Sequence, residues 1–140
     1  MILYNAENQI LGRMSAKIAK QLLEGEKIVV VNVEKAVISG NPKVTTEFYL
    51  RKIQRGDPTH GPYFPKKADE VFRRTVRGML PWDRSRGREA YRNLKVFISI
   101  PEELKDKKFE KIESADIKKL KCKYITLGDL SLALGSKRRW

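Results

Sequence analysis

The sequence predicts a single α/β domain with a mainly parallel sheet, and three observations support this fold class. Strand, helix and strand signals follow one another within the first 33 residues, which is the order of a βαβ unit. Residues 28–31 are continuously apolar and β-branched, as is typical of a strand covered on both faces. A chain of 140 residues, 41% of them apolar, holds one hydrophobic core and not two. We expect one domain over 1–140 with a basic C-terminal tail over 136–140.

The N-terminal elements are a short strand and an amphipathic helix. Residues 2–4 are apolar and are followed by turn-favouring polar residues that end the strand. From Leu11 onward apolar side chains recur at helical spacing, and Gly25 suits the left-handed position after a helix. The apolar stripe consists of Leu11, Met14, Ile18 and Leu22. On the opposite, solvent-facing side of the same helix lie Arg13, Lys17 and Lys20.

Two further strands are predicted in the C-terminal half. Residues 94–100 form a long apolar run that Pro101 ends, and residues 124–126 form a shorter one. Added to the first two strands, they predict a sheet of four strands.

Three more helices are expected outside the sheet. Residues 44–53 have helical composition with an irregular apolar face. Residues 72–80 carry an apolar arc, and this helix has Asp69 in place to cap it and Pro81 to end it. Residues 126–134 begin with the spacing of a capping box. The apolar arc of the middle helix consists of Phe72, Val76, Met79 and Leu80.

Positive charge is concentrated in one part of the chain. The formal net charge is +13, yet residues 1–50 contribute six basic against five acidic side chains. Residues 73–92 carry seven arginines against two carboxylates. Guanidinium groups pair with phosphate oxygens and stack on bases, so this window favours a polyanionic partner. Residues 102–124 mix eight lysines with six carboxylates, a pattern typical of a solvated helical face.

The chain offers little for chemistry. Its only cysteine is Cys122, which we expect to be a small buried side chain, and its only histidine is His60. There is no phosphate-binding G-x-x-x-x-G-K-[ST] motif, and Gly12 stands without the other two glycines of a dinucleotide-binding turn. No apolar run is long enough to span a bilayer, and the first residues do not resemble an export signal. We expect no catalysis, cofactor, metal, membrane or small-molecule substrate.

Two irregular segments add candidate binding residues. Residues 55–65 contain three prolines and two glycines, where His60 has a structural or RNA-stacking role rather than that of a general base. Tyr63 and Trp82 flank the arginines and either stack on unpaired bases or pack in the core, with the core favoured for Trp82. The turn at residues 39–43 precedes a helix and suits either a bound phosphate or an ordinary turn.

Five stretches carry a resemblance to a known family. They are Leu11–Ser15, Glu26–Gly40, His60–Tyr63, Arg74–Pro81 and Leu94–Phe97. Together they resemble the large-subunit ribosomal protein L-thirteen family in its archaeal and eukaryotic form, over nearly the whole chain. The resemblance implies a three-layer α/β/α domain with a four-stranded parallel sheet. It also implies a structural protein of the large subunit that binds rRNA and acts early in subunit assembly.

The resemblance and the charge pattern together predict an RNA-binding surface. The family's RNA-contacting stretches map onto residues 12–13, 39–43, 60–63 and 73–88. The expected partners are large-subunit rRNA and neighbouring ribosomal proteins, with the protein monomeric in a cytoplasmic ribosome. On the residues alone, a free RNA-binding regulatory module and a nucleotide-using α/β enzyme stay open. The predicted RNA-binding residues are Arg13, Lys17, Lys43, His60, Tyr63, Lys66, Lys67, Arg73, Arg74, Arg77, Arg84, Arg86, Arg88, Lys137, Arg138 and Arg139.

Overall fold

The computed structural model describes residues 1–140, which form five strands, five α-helices and four short 3-10 turns. The strands are β1 (Ile2–Asn5), β2 (Ile28–Val31), β3 (Val37–Ser39), β4 (Leu94–Val96) and β5 (Tyr124–Thr126). The helices are α1 (Leu11–Leu23), α2 (Pro42–Gln54), α3 (Ala68–Gly78), α4 (Ser85–Arg92) and α5 (Leu127–Ala133).

A parallel sheet of three strands, in the order β1-β2-β4, lies at the centre of the molecule. In its register, Ile28 of β2 lies opposite Ile2 on one side and Leu94 on the other. All four residues of β2 are buried, as its continuous apolar run predicts. The free edge of β1 carries one more parallel bridge, between Tyr4 and Glu110. The α/β class with a mainly parallel sheet is therefore confirmed.

The predicted fourth strand forms, but it belongs to a second sheet. β5 pairs antiparallel with β3, a strand that the sequence analysis did not predict, so the four-stranded sheet is wrong. The reason is the path of the chain after β4. The chain crosses to the opposite edge of the sheet, where Glu110 bonds to β1, and then passes the loop after β1, where the Ile117 amide donates to the Asn8 carbonyl. β5 thus arrives beside β3 and not beside β4.

The predicted strand over residues 94–100 is shorter than its apolar run. β4 ends at Val96, after which the Phe97 amide donates to the Val30 carbonyl and the Asn32 amide donates to the Ser99 carbonyl. Ser99 then turns the chain with a positive φ of 59°. The amide and hydroxyl of Ser99 donate to the two carboxylate oxygens of the buried Glu34, at 3.0 and 3.3 Å. A side-chain cap from another part of the chain therefore ends the strand.

The helices α1 and α5 form as their patterns predict. The apolar stripe of α1 is buried, its three basic residues are exposed, and Gly25 follows it with a φ of +94°. Thr126 caps α5, because its hydroxyl accepts a hydrogen bond from the Asp129 amide at 3.2 Å. The C-terminal end of α1 and the N-terminal end of α5 could be predicted from the sequence because the capping interactions are local in sequence.

The ends of α3 differ from their prediction. Its N-cap is Lys67 and not Asp69, whose carboxylate lies instead in the first helical turn, where the helix dipole favours it. The helix ends at Gly78, three residues before Pro81. Met79 follows as the C-cap and is 42% exposed, so it does not belong to the buried arc. The other three members of the arc, Phe72, Val76 and Leu80, are buried as predicted.

Residues 102–124 do not form the solvated helical face that their charge pattern predicts. They contain only three 3-10 turns before β5 begins at Tyr124. The segment closes the core with the buried side chains of Ile112 and Ala115, and the Ile112 amide donates to the buried Gln9 side chain at 3.0 Å. Cys122 is exposed, so the expectation of a buried thiol is wrong. Residues 102–124 are therefore an irregular segment, which we call the strap, and its buried residues Ile112 and Ala115 fix it to the core.

Candidate nucleic-acid interface

Six arginines, on α3, at the N-cap of α4 and within α4, make up one candidate surface, which we call the arginine face. α3 buries Phe72 and Val76 against the core, and this orientation leaves its arginines on the flank and outer side. α4 begins after Arg84 and buries only Gly87 and Ala90. The arginine face consists of Arg73, Arg74 and Arg77 from α3 with Arg84, Arg86 and Arg88 at the start of α4.

Close packing fixes the start of α4 against the link that follows α3. Gly87 is buried, and a Cβ atom at this position would lie 2.1 Å from the Pro81 carbonyl oxygen. Only glycine permits the first turn of α4 to approach the link from α3 this closely. α4 was not predicted from the sequence. Its signal is weak, because the buried side of the helix consists of two small residues and not of large apolar ones.

Two aromatic rings support the guanidinium groups of α3. The Arg73 guanidinium lies 4.7 Å from the centre of the Tyr91 ring, and that of Arg77 lies 4.4 Å from the Trp82 ring. The two rings meet edge to face at 5.2 Å. Trp82 is 37% exposed, so the expectation that it packs in the core is wrong. Cation–π contacts of this kind hold an arginine in place. The Nε of Arg73 is buried and has no hydrogen-bond partner within the molecule.

The arginine face has no acidic partners within the molecule. The three ion pairs of the structure all involve lysines, and the pairs are Lys35–Glu7, Lys67–Glu70 and Lys105–Glu102. On α4 the Arg86 guanidinium donates to the Leu23 carbonyl at the end of α1, at 3.4 Å. The face thus presents positive charge that the protein itself does not neutralise.

The other predicted residues lie in several places on the surface. Arg13 and Lys17 are exposed on α1. Lys43 occupies the first turn of α2, where its amide donates to the Asn41 side chain, so the 39–43 turn is at least a helix cap. His60 and Lys66 are exposed, and Lys67 pairs with Glu70 at 3.9 Å. In the tail Lys137, Arg138 and Arg139 are exposed.

The structure also brings together a lysine and three aromatic rings, a cluster that was not predicted from the sequence. The ammonium group of Lys52 lies 4.4, 5.3 and 5.2 Å from the rings of Phe48, Tyr49 and Phe64. Tyr49 is half-buried, and this burial raises the pKa of its hydroxyl. The only sequence signal is the spacing of four between Phe48 and Lys52 on α2, because Phe64 arrives from the distant loop.

A cavity opens beside this group, between α2, the 55–65 loop and α3. Its volume is about 480 Å³. Three aromatic and three basic side chains line it, together with Pro62, Thr75 and Gly78. The aromatic and basic residues are Tyr49, Tyr63, Phe64, Lys52, Arg55 and Arg74.

Features of other functional classes are sparse. No three side chains among histidine, cysteine, aspartate and glutamate lie close enough together to hold a metal ion. None of the helices has the length and apolarity needed to cross a bilayer.

Comparison with known proteins identifies the family. The model of the family described as "Ribosomal protein L13" matches residues 1–103. The chain belongs to this family. The match confirms the resemblance that the five sequence stretches carry.

Members of the ribosomal protein family from archaea align with almost the whole chain. The protein of Archaeoglobus fulgidus is 55% identical over 133 residues, which cover 94% of this chain and 85% of that protein. The protein of Methanosarcina barkeri is 48% identical over 139 residues, covering 98% and 99%. The protein of Sulfurisphaera tokodaii is 48% identical over 141 aligned positions, covering 96% and 94%. All three are named large ribosomal subunit protein uL13.

The family match and the candidate surface coincide in sequence. The arginine face, α2 and the 55–65 loop all lie within residues 1–103, which the family model covers. The basic tail at 136–140 lies outside that range, although the alignment with Methanosarcina barkeri covers 98% of the chain.

Proposed function

We propose that the protein is a structural constituent of the large ribosomal subunit, which binds large-subunit rRNA and performs no catalysis. Membership of the family and the names of its relatives support the ribosomal role. One structural observation supports the mode of binding. The guanidinium groups of Arg73 and Arg77 rest on aromatic rings, and none of the three arginines of α3 has a carboxylate partner in the molecule.

The mechanism is neutralisation of phosphate charge by a rigid surface. RNA segments that fold together repel one another through their phosphates, and cations placed between them reduce that repulsion while condensed counterions are released. An arginine that is already held in place loses less rotamer entropy on binding than one that is free in solvent. The arginine face therefore supports early folding of the subunit, when few other contacts hold the RNA together.

Further contacts complete the proposed interface. Tyr63, which lines the cavity, and the exposed His60 of the same loop are suited to stack on bases. The exposed basic residues of α1, α2 and the tail are suited to phosphates at the margins. We place the protein in the cytoplasmic ribosome as a monomer, beside other large-subunit proteins.

Binding of the purified protein to a large-subunit rRNA fragment over a range of salt concentrations tests the mechanism. If about eight phosphates are contacted, the logarithm of the binding constant should fall with the logarithm of salt concentration with a slope on the order of −6 to −7. A slope of only about −1 would contradict neutralisation of phosphates by the arginine face.

A free RNA-binding regulatory module is the remaining alternative, because the same surface would bind RNA away from the ribosome. Sedimentation of a cell lysate through a sucrose gradient separates the two roles. We expect the protein to sediment with large subunits. Protein found only in the light fractions would remove the ribosomal role and leave the regulatory one.

A further inference from the structure

The cavity between α2, the 55–65 loop and α3 has the features of a site for a single nucleotide, and this inference rests on the proposed RNA binding. Its volume of about 480 Å³ lies within the roughly 300–1,000 Å³ of small-ligand sites. A double helix hides the faces of its bases in the stack, so the part of an RNA that an aromatic cavity can receive is a base that has left the stack.

Tyr63 presents a ring that is fixed and yet open to solvent. The side chain is 68% exposed, which is unusual for an aromatic residue. Its hydroxyl lies 2.7 Å from the Thr59 carbonyl oxygen and 3.0 Å from that of Pro58 in the same loop, and its single proton is shared between these two acceptors. These contacts anchor the ring at the cavity mouth before any ligand binds. Stacking on such a preorganised ring costs little conformational entropy.

The charges around the cavity fit a phosphodiester chain. Lys52, Arg55 and Arg74 line it, and no carboxylate does. A nucleoside monophosphate has one phosphate group, whereas an RNA strand brings a phosphate on each side of the bound base, which suits several cations around one cavity. Arg74 also belongs to the arginine face, so the cavity is continuous with the surface proposed to bind rRNA.

We propose that this cavity binds one unstacked nucleotide of a single-stranded rRNA segment. The base stacks on the ring of Tyr63, and the adjoining phosphates pair with Arg55 and Arg74. Lys52, whose ammonium group lies among three aromatic rings, contributes a fixed positive charge to the lining of the cavity. The loop and α2 thereby bind an unpaired nucleotide, while the arginine face neutralises the phosphate charge of the folded RNA beside it.

Substitution of the tyrosine ring tests the proposal with the full-length protein. The first probe is a single-stranded RNA of ten nucleotides with 2-aminopurine at its centre, and the second is the same strand in a duplex. Tyr63→Ala should weaken binding of the single strand by about 5- to 150-fold, the range for loss of one base–aromatic stack, with an unchanged salt slope. The wild-type protein should quench the 2-aminopurine fluorescence of the single strand, and Tyr63→Ala should not.

Two variants serve as matched controls. Tyr63→Phe keeps the ring and should retain the quenching, and Tyr124→Ala removes another exposed tyrosine, on β5, and should bind as the wild type does. Circular dichroism verifies that each variant is folded. If wild-type protein does not quench the probe, or if Tyr63→Ala binds it as wild type does, the nucleotide site is wrong.

A failure of the nucleotide site is distinguishable from a failure of rRNA binding. If Tyr63→Ala has no effect while the rRNA fragment still binds with a steep salt slope, only the nucleotide site fails. If the rRNA fragment does not bind to the wild-type protein, the proposed function fails as well. If Tyr63→Ala binds RNA normally but enters large subunits poorly, the cavity receives a neighbouring protein, which also overturns the proposal.

Discussion

Residues 73–92 and residues 102–124 both carry an excess of positive charge, but the structure uses the two regions in different ways. The first has seven arginines against two carboxylates, and two of these arginines lie over aromatic rings. The second has eight lysines against six carboxylates, and all eight lysines are exposed. Its backbone and apolar side chains close the core instead, through Ile112 above all.

This difference shows that net charge alone does not identify a binding surface. A solvated lysine keeps about 2 kcal/mol of rotamer entropy that binding would have to remove. An arginine already stacked on Tyr91 or Trp82 has given up part of that freedom on folding. The comparison therefore predicts that binding depends on the first region and stability on the second.

The largest effect is expected from shortening the core residue of the lysine-rich region. Ile112→Ala should lower the free energy of unfolding by about 2–5 kcal/mol, because it opens a cavity under the segment. Urea denaturation measures this change. Under conditions in which the variant is folded, its affinity for the rRNA fragment should equal that of the wild type. An affinity loss as large as that of an arginine-face variant would contradict the prediction that binding depends on residues 73–92 and stability on residues 102–124.

The next effect concerns binding. Simultaneous Ala substitution of Arg73, Arg74 and Arg77 should weaken binding to the rRNA fragment on the order of 100-fold and make the salt slope shallower by about 2. The buried arc of α3 is untouched, so the variant should fold, with a loss of about 1 kcal/mol for each stacked guanidinium. Filter binding at several salt concentrations measures affinity and slope together.

The matched control for the arginine variant removes three lysines from the other region. Ala substitution of Lys105, Lys107 and Lys108 changes the net charge by the same amount. We expect a loss of affinity of only a few fold, from the reduced long-range attraction. Equal losses for the two triple variants would show that total charge, and not the placement of the arginines, determines binding.

The smallest effect concerns pH and the strand that residues 102–124 cover. Burial raises the pKa of Tyr4 above its usual 10.0, and its hydroxyl donates to Gln21 at 2.8 Å. Below pH 10 wild type should be more stable than Tyr4→Phe by about 1 kcal/mol. Because the pKa is raised in the folded state, this advantage should be lost as pH rises from 10 through the folded pKa. Urea denaturation between pH 8 and about 11 measures it, and an advantage that grows with pH would contradict the assignment.

Local patterns predicted a large part of the fold. α1 and β2 depend on the spacing and burial of residues next to one another in the chain, so their apolar patterns were sufficient. The arginine excess of residues 73–92 was equally visible, because composition does not depend on folding. α4 was missed for the opposite reason, since its buried side consists of Gly87 and Ala90 and has no large apolar stripe.

Contacts between distant residues were decided only by the tertiary structure. β5 pairs with β3 because the segment after β4 leads the chain to the far edge of the sheet. The sequence of residues 124–126 alone does not determine this path. Glu34 ends β4 from 65 positions away. The aromatic support of Arg73 and Arg77 and the cavity lined by Tyr63 arise in the same way. Local sequence encodes which segments are helical, extended or charged, whereas packing of the whole chain decides which of them meet.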